Sequence, residues 1–243
     1  MARTRAAAVK DEPIEKIMKS LTPEQQEFLD KVQAGKKDPV YFAYHLLGVE
    51  LHPKQKVWLW VTTKTNLQEA MELGIQMKLW DELKFKTLMQ KNPEMLRNVL
   101  VPSNRWGKTL ITSVKHLYYN FYKIGVQGDP KHIAQTRCGT LNLSPHSNQA
   151  DAAYQYILDI LFSKFTYRAM ETQPDERPGF EGQEIEVMVS KVNKCLIGDF
   201  YVGDNQQKRT VVFKNGTSFK AVPTGEDQAS SIAGMRYLYI SYD

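Results

Sequence analysis

A short apolar run, followed by a loop and an amphipathic helix, constrains the fold of this chain more than any other feature. Residues 98–101 (NVLV) predict a buried strand, and the loop PSNRWGKT follows at residues 102–109. Apolar residues then recur at helical spacing from residue 110 to residue 121. Further elements are predicted farther along: strands at 139–143, 185–189, 195–202 and 236–242, and a helix at 148–165. This order predicts an α/β fold in which helices flank a mostly parallel sheet.

The composition is that of a globular protein. The chain has 243 residues, of which 42% are hydrophobic and 24% charged, so a disordered or collagen-like chain is excluded. No apolar run approaches the roughly 20 residues that a membrane span needs. Two cysteines, Cys138 and Cys195, are too few for a disulfide framework, which indicates a reducing cytosol. The net charge of +5 permits a nucleic-acid partner without arguing for one.

The helix signals divide the chain into three predicted segments. Residues 1–37 form an N-terminal arm and helix, residues 38–96 a helical lead-in, and residues 97–243 the α/β core. Within the lead-in, Asp38-Pro39 and His52-Pro53 each open a helix, since an N-cap followed by proline is a helix start. The inner stripe of the first of these helices is predicted to be Val40, Ala43, Tyr44 and Leu47.

The second half of the core is predicted to be rich in strands. A hairpin is expected between residues 210–213 and 217–222, because Asn215-Gly216 suits a type I′ turn. Residues 171–184 are expected to be an exposed connection.

The loop at residues 102–109 contains residue types that bind phosphate. Backbone N–H groups at a helix N-terminus attract anions, and Gly107 lets the main chain approach them closely. Lys108 can place its ammonium on the β/γ oxygens of a nucleotide, and the Thr109 hydroxyl can ligate Mg²⁺. The other candidate nucleotide-binding residues of the loop are Ser103, Asn104, Arg105 and Trp106. Pro102 stands where the usual pattern has glycine, and the alternative interpretation is a chance Gly-Lys-Thr sequence in a loop.

Two further residues are candidates for the same site. Asp243 directly follows a predicted strand, where a carboxylate can hold a metal through water, although a structural strand ending in an acid is the alternative. Gln55 has an amide whose donor and acceptor match the N6/N7 edge of adenine, although it could equally be a solvated glutamine. The nearby Trp58 and Trp60 are expected to be core residues rather than stacking partners of the base.

In their order along the chain, these segments resemble the ATPase portion of the large subunit of a viral terminase, the DNA-packaging motor of tailed bacteriophages. The resemblance covers about residues 40–243. It consists of HPKQ at 52–55, SNRWGKT at 103–109, LSP at 143–145, NQA at 148–150, the hairpin at 212–219, and SSIAGMR at 230–236.

The resemblance implies a P-loop NTPase of the RecA/ASCE-like type that uses ATP and Mg²⁺. Lys108 would contact the phosphates and Arg105 would couple the nucleotide state to movement, both as catalytic residues. Thr109 and Asp243 would hold the metal, and Gln55 would bind adenine. Such ATPases carry a catalytic glutamate after the metal-binding aspartate and a C-terminal nuclease. We therefore expect a fragment cut after Asp243, with an incomplete sheet and weak or absent hydrolysis.

The resemblance also implies partners and a location. The expected partners are double-stranded DNA, the portal protein, the terminase small subunit and further copies of the chain in a ring, expected to be a pentamer. The expected location is the host cytoplasm, at the procapsid, with no membrane. The alternatives are a helicase-like translocase ATPase and a nucleotide-binding or assembly module that does not hydrolyse ATP.

Overall fold

The computed structural model describes residues 22–93, 106–122, 138–164, 167–174, 184–190, 200–202, 209–213, 217–224 and 236–242. These residues form an α/β structure with a seven-stranded sheet. The predicted strand at 98–101 lies outside them.

In the described residues, five helices and a π-helix precede the phosphate-loop segment. They are α1 (Pro23–Lys37), α2 (Pro39–Tyr41), the π-helix Phe42–Leu46, α3 (Pro53–Thr63), α4 (Leu67–Gln76) and α5 (Glu82–Lys91). Two longer helices follow, α6 (Lys108–Tyr122) and α7 (Ser147–Lys164). Helix α6 packs against three strands of the sheet, and α7 packs against α6 and two of the same strands. The helices predicted at 110–121 and 148–165 are therefore confirmed.

The sheet is mixed. Its strands are β1 (Cys138–Ser144), β2 (Tyr167–Pro174), β3 (Glu184–Ser190), β4 (Phe200–Val202), β5 (Thr210–Phe213), β6 (Thr217–Pro223) and β7 (Arg236–Tyr242). The order across the sheet is β2-β3-β4-β5-β6-β1-β7. Strand β1 pairs in parallel with β6 and β7, and the pairs from β2 to β6 are antiparallel.

The prediction of a mostly parallel sheet is thus wrong for the described strands. Strands β2 to β6 follow one another as neighbours, and short connections between neighbouring strands give antiparallel pairing. Only β1, β6 and β7 belong to the described parallel part, and helix α6 covers these three strands.

Most predicted strands are found where the sequence placed them. The strands at 139–143, 185–189 and 236–242 and the two paired strands of the hairpin are confirmed, while the turn at Asn215-Gly216 lies outside the described residues and β4 covers only the end of the predicted 195–202. The expected connection at 171–184 is wrong at both ends, because β2 extends to Pro174 and β3 begins at Glu184. Strand β2 pairs with β3, the next strand along the chain, and strand formation depends on such pairing as well as on local composition.

One hydrophobic core connects the lead-in to the sheet. It includes residues of the π-helix, α3, α6, α7, β5 and β6, among them Phe42, Leu59, Ile111, Leu117, Ile157, Phe213 and Phe219. The predicted inner stripe of the helix that follows Asp38 is wrong at Tyr44, which is 57% exposed. Ala43 and Leu47 are buried as predicted, and the π-helix shifts the helical register so that Phe42 and Leu46 face the core in place of Tyr44.

Candidate functional site

The phosphate-loop segment meets helix α6 at Gly107. The Gly107 carbonyl accepts the first helical hydrogen bond, from the Ile111 N–H at 3.1 Å, so Gly107 is the N-cap of α6. Its φ of 80° lies in the left-handed region, and a Cβ there would approach Gln55 Nε2 to 2.7 Å. Glycine is required at this position for both reasons.

The side chains next to Gly107 have the exposure that a binding site needs. Lys108 is exposed at the first position of α6, and Trp106 and Thr109 are half-buried. The first N–H groups of a helix lack intrahelical partners, and the helix dipole makes this end favourable for anions. An exposed ammonium therefore lies where a phosphate group would be stabilised.

Gln55 connects the lead-in to this loop. It belongs to a capping box at the start of α3, where its Oε1 accepts the His52 N–H at 2.8 Å. Its Nε2 donates to the Trp106 carbonyl at 2.8 Å, and its side chain is only 5% exposed. The sequence predicted that Gln55 belongs to the same site as the loop. The structure adds a hydrogen bond from the Gln55 amide to the main chain of the loop at Trp106.

This arrangement limits how Gln55 could bind a base. A glutamine amide has two N–H donors and two acceptor lone pairs. One donor and one lone pair are already used within the protein. Among the described residues, the second N–H and the second lone pair have no recorded partner, and a nucleobase would have to reach them in a side chain that is only 5% exposed.

Four predicted site residues lie outside the described residues: Ser103, Asn104, Arg105 and Asp243. The structure does describe Tyr242, the residue before Asp243, at the end of β7.

Strand β7 packs against helix α6. The Tyr239 ring stacks on Tyr119, with centroids 5.4 Å apart and planes at 18°. Farther along β7, Ser241 Oγ lies 2.7 Å from Nε2 of His116, which precedes Tyr119 on α6. Tyr239 also contacts the His116 ring, with centroids 4.7 Å apart, so residues 239–241 of β7 pack against residues 115–119 of α6.

A buried lysine on α6 faces α3 and β7. Lys115 is 1% exposed, and its Nζ lies 4.6 Å from the Tyr239 ring centroid and 4.8 Å from that of Trp58. Ring faces attract cations, but burial removes water from the ammonium. The net effect is that burial lowers the pKa of Lys115 to about 7.

Lys115 and its neighbour His116 were not singled out by the sequence as functional candidates. Burial and the nearby Lys115 charge lower the pKa of His116 to about 3, so its imidazole is neutral. The sequence signal was a Lys-His pair among the apolar residues of a helix. Only the tertiary contacts of α6 show that this pair is buried.

The two tryptophans of α3 differ. Trp60 is 7% exposed and donates its Nε1–H to Asp38 Oδ1 at 2.8 Å, which confirms it as a core residue. Trp58 is half-buried and packs at the edge of the core, facing Lys115.

A surface pocket lies beside the start of α3. Its volume is about 380 Å³, and its lining residues all come from the lead-in, between Asp38 and Lys56. Tyr44 and His45 contribute rings whose centroids are 4.9 Å apart. Because residues 106–109 do not line this pocket, it is separate from the phosphate-loop junction.

One basic residue of the strand region serves a structural purpose. The Arg209 guanidinium pairs with Asp151 and donates to Ser147 Oγ at 2.7 Å, which fastens the start of β5 to the first turn of α7. Hydrogen bonding to Arg209 lowers the pKa of Asp151.

No group of three or more His, Cys, Asp or Glu side chains in the described ranges is arranged to hold a metal ion. Within the same ranges, no helix is both long and apolar enough to cross a bilayer.

Comparisons of the chain with protein-family models, with curated proteins and with solved structures found no match.

Proposed function

We propose that this chain is a P-loop NTPase domain whose site is the junction between the phosphate loop and α6. The proposal is supported above all by Gly107, which has the left-handed conformation at the start of α6. The Gln55 amide packs against Gly107 and donates a hydrogen bond to the Trp106 carbonyl. A tight glycine turn that leads directly into a helix is the backbone form that cradles phosphates.

The residues at this junction fit a nucleotide bound with Mg²⁺. Lys108 is exposed and can neutralise phosphate charge, and the Thr109 hydroxyl is of the type that ligates Mg²⁺. Asp243 is proposed to hold the metal through water, and Arg105 to couple the nucleotide state to movement. The remaining loop contacts are assigned to Ser103, Asn104 and Trp106. Bound Mg²⁺ would supply charge neutralisation on the phosphates.

Gln55 has two proposed roles. It positions the Trp106 carbonyl, and its second N–H and second lone pair would pair with the adenine edge. The proposed hydrolysis relies on positioning and charge stabilisation, without a covalent intermediate.

At the level of biological function, we propose an ATP hydrolase of the terminase large-subunit type. It couples ATP hydrolysis to translocation of double-stranded DNA into procapsids. The proposed partners are the portal protein, the small subunit and further copies of the chain in a pentameric ring, in the host cytoplasm. This step is supported by the ordered motifs from residue 52 to residue 236.

The proposal predicts that nucleotide and duplex DNA binding are coupled. Binding of a labelled DNA duplex is measured with and without Mg²⁺ and a non-hydrolysable ATP analogue, for the wild type and for Lys108→Ala. The nucleotide should change the affinity of the wild type for the duplex by about fivefold or more, because coupled sites differ by about 1–3 kcal/mol. Lys108→Ala should show no such change.

A matched control is Lys86→Ala on α5, which removes an exposed lysine paired with Glu82. It should behave as the wild type. Preference for single-stranded over duplex DNA would favour a helicase-like translocase instead. Nucleotide binding without any DNA binding would favour an assembly module.

A further inference from the structure

We propose that the surface pocket beside the start of α3 binds an arginine side chain of a partner protein, with the guanidinium held by aromatic rings and carboxylates. The lining residues all lie between Asp38 and Lys56, and the volume is about 380 Å³. This volume falls within the roughly 300–1,000 Å³ of ligand-binding clefts. Because residues 106–109 do not line the pocket, the inference goes beyond the proposed nucleotide site and does not depend on it.

Three neighbouring rings form the aromatic part of the lining. The Tyr41 and His45 ring centroids are 4.1 Å apart, with their planes at 30°. The Tyr44 ring is nearly perpendicular to the His45 ring, at 86°, with centroids 4.9 Å apart. Tyrosine faces attract cations, and the flat guanidinium of arginine can stack on them. The rings therefore offer a surface that suits a planar cation.

The backbone of the π-helix brings one of these rings to the surface. A regular helix would place Tyr44 in the core, but the π-helix Phe42–Leu46 buries Phe42 and Leu46 instead and leaves Tyr44 57% exposed. Short π-helical turns are rare and are frequently found at functional sites. Tyr44 and the exposed His45 are therefore accessible to a partner at the pocket.

One carboxylate of the pocket is held in a fixed position. Asp38 Oδ1 accepts the Val40 N–H and the Trp60 Nε1–H, both at 2.8 Å. Asp38 is half-buried, and its Oδ2 has no recorded partner among the described residues. A carboxylate oxygen that is positioned in this way is a preorganised acceptor for a guanidinium N–H.

The charges of the lining favour a cation. Asp38 and Glu50 supply two carboxylates and Lys56 supplies one ammonium, which gives a formal charge of −1 when His45 is counted as neutral. None of the ion pairs among the described residues involves these two acids or this lysine. A neutral nucleobase could stack on the same rings, but it would leave the carboxylates unpaired. An arginine satisfies both the rings and the carboxylates.

The test uses a blocked Ala-Arg-Ala tripeptide as the probe. Its dissociation constant from the full chain is measured by NMR titration and compared with that of the citrulline version, whose side chain has a similar shape without the charge. The arginine peptide should bind at least about tenfold more tightly, because charge-assisted hydrogen bonds to carboxylates are roughly twice as strong as neutral ones.

Three substitutions give the inference a direction. Glu50→Gln and Tyr44→Ala should each weaken binding of the arginine peptide by about threefold, since they remove a carboxylate and a ring face. Lys56→Gln should tighten binding by about twofold, because the ammonium opposes a bound cation. Glu50 and Tyr44 are exposed, so both variants should fold. Asp38→Asn keeps the N-cap acceptor and should also weaken binding.

The matched control is Glu69→Gln on α4, which removes an exposed carboxylate outside the pocket. It should bind the arginine peptide as the wild type does. Equal affinity of the wild type for the two peptides would overturn the inference, as would unchanged binding in Glu50→Gln. Weaker binding in Lys56→Gln would indicate a site for anions, and displacement of the peptide by adenosine would indicate a site for a base. Either of these results would also overturn the inference.

Discussion

At the scale of single residues, the contact between Gln55 and Gly107 joins two sequence motifs at the candidate site. The sequence marked Gly107 as a place of close backbone approach, and the structure shows that one of the approaching groups is the Gln55 amide. The local motif could predict the glycine because a tight turn before a helix requires it. It could not predict the Gln55 contact, which joins positions far apart in the chain.

The two residues should therefore be energetically coupled. Gly107→Ala should lower the free energy of unfolding by about 2 kcal/mol, because a side chain at positive φ is strained and its Cβ meets Gln55 Nε2. In a Gln55→Ala background the contact is gone, and the cost should fall to about 1 kcal/mol. Urea unfolding of the wild type, the two single variants and the double variant gives the coupling energy. Strictly additive effects would show that the contact is not formed.

At the scale of elements, local sequence patterns predicted the helices and strands but not the contacts between α3, α6 and β7. Apolar periodicity predicted α6, α7 and most strands, since each signal is contained within its own segment. The exposure of Tyr44 was missed because a π-helix changes the register within one turn. The burial of Lys115 was missed because its surroundings come from three separate elements.

Lys115 should make stability depend on pH. Its pKa is about 7 in the folded chain, against the ordinary lysine value of 10.5 expected when the chain unfolds. Between these values the unfolded chain holds a proton that the folded chain does not, so stability rises with pH. The free energy of unfolding should be about 2 kcal/mol higher at pH 9 than at pH 7.

Lys115→Met should abolish this rise, because it fills the same space without a titrating group. It should also be more stable than the wild type at pH 7, where the ammonium is partly charged. Lys86→Met, on the exposed surface of α5, is the control and should retain the rise. Equal pH dependence in the wild type and Lys115→Met would mean that Lys115 is not desolvated.

At the scale of the whole molecule, the proposed site lies where the helical lead-in meets the parallel part of the sheet. The α/β class followed from the alternation of helices and strands, but the mixed sheet did not. Strand order depends on pairing between distant segments, which local patterns leave open. Helix α6 contacts both the lead-in and β7, so changes at its N-terminus can reach both parts through one rigid element.

The central claim is that residues 106–109 bind a polyphosphate, and equilibrium binding of ATP compared with adenosine tests it most directly. Titration calorimetry with Mg²⁺ should show that the wild type binds ATP at least about a hundredfold more tightly than adenosine, since charge-assisted hydrogen bonds to phosphate contribute about 1.5–3 kcal/mol each. Lys108→Ala should remove most of that difference. Equal affinity for ATP and adenosine, or ATP binding that Lys108→Ala leaves intact, would contradict the account.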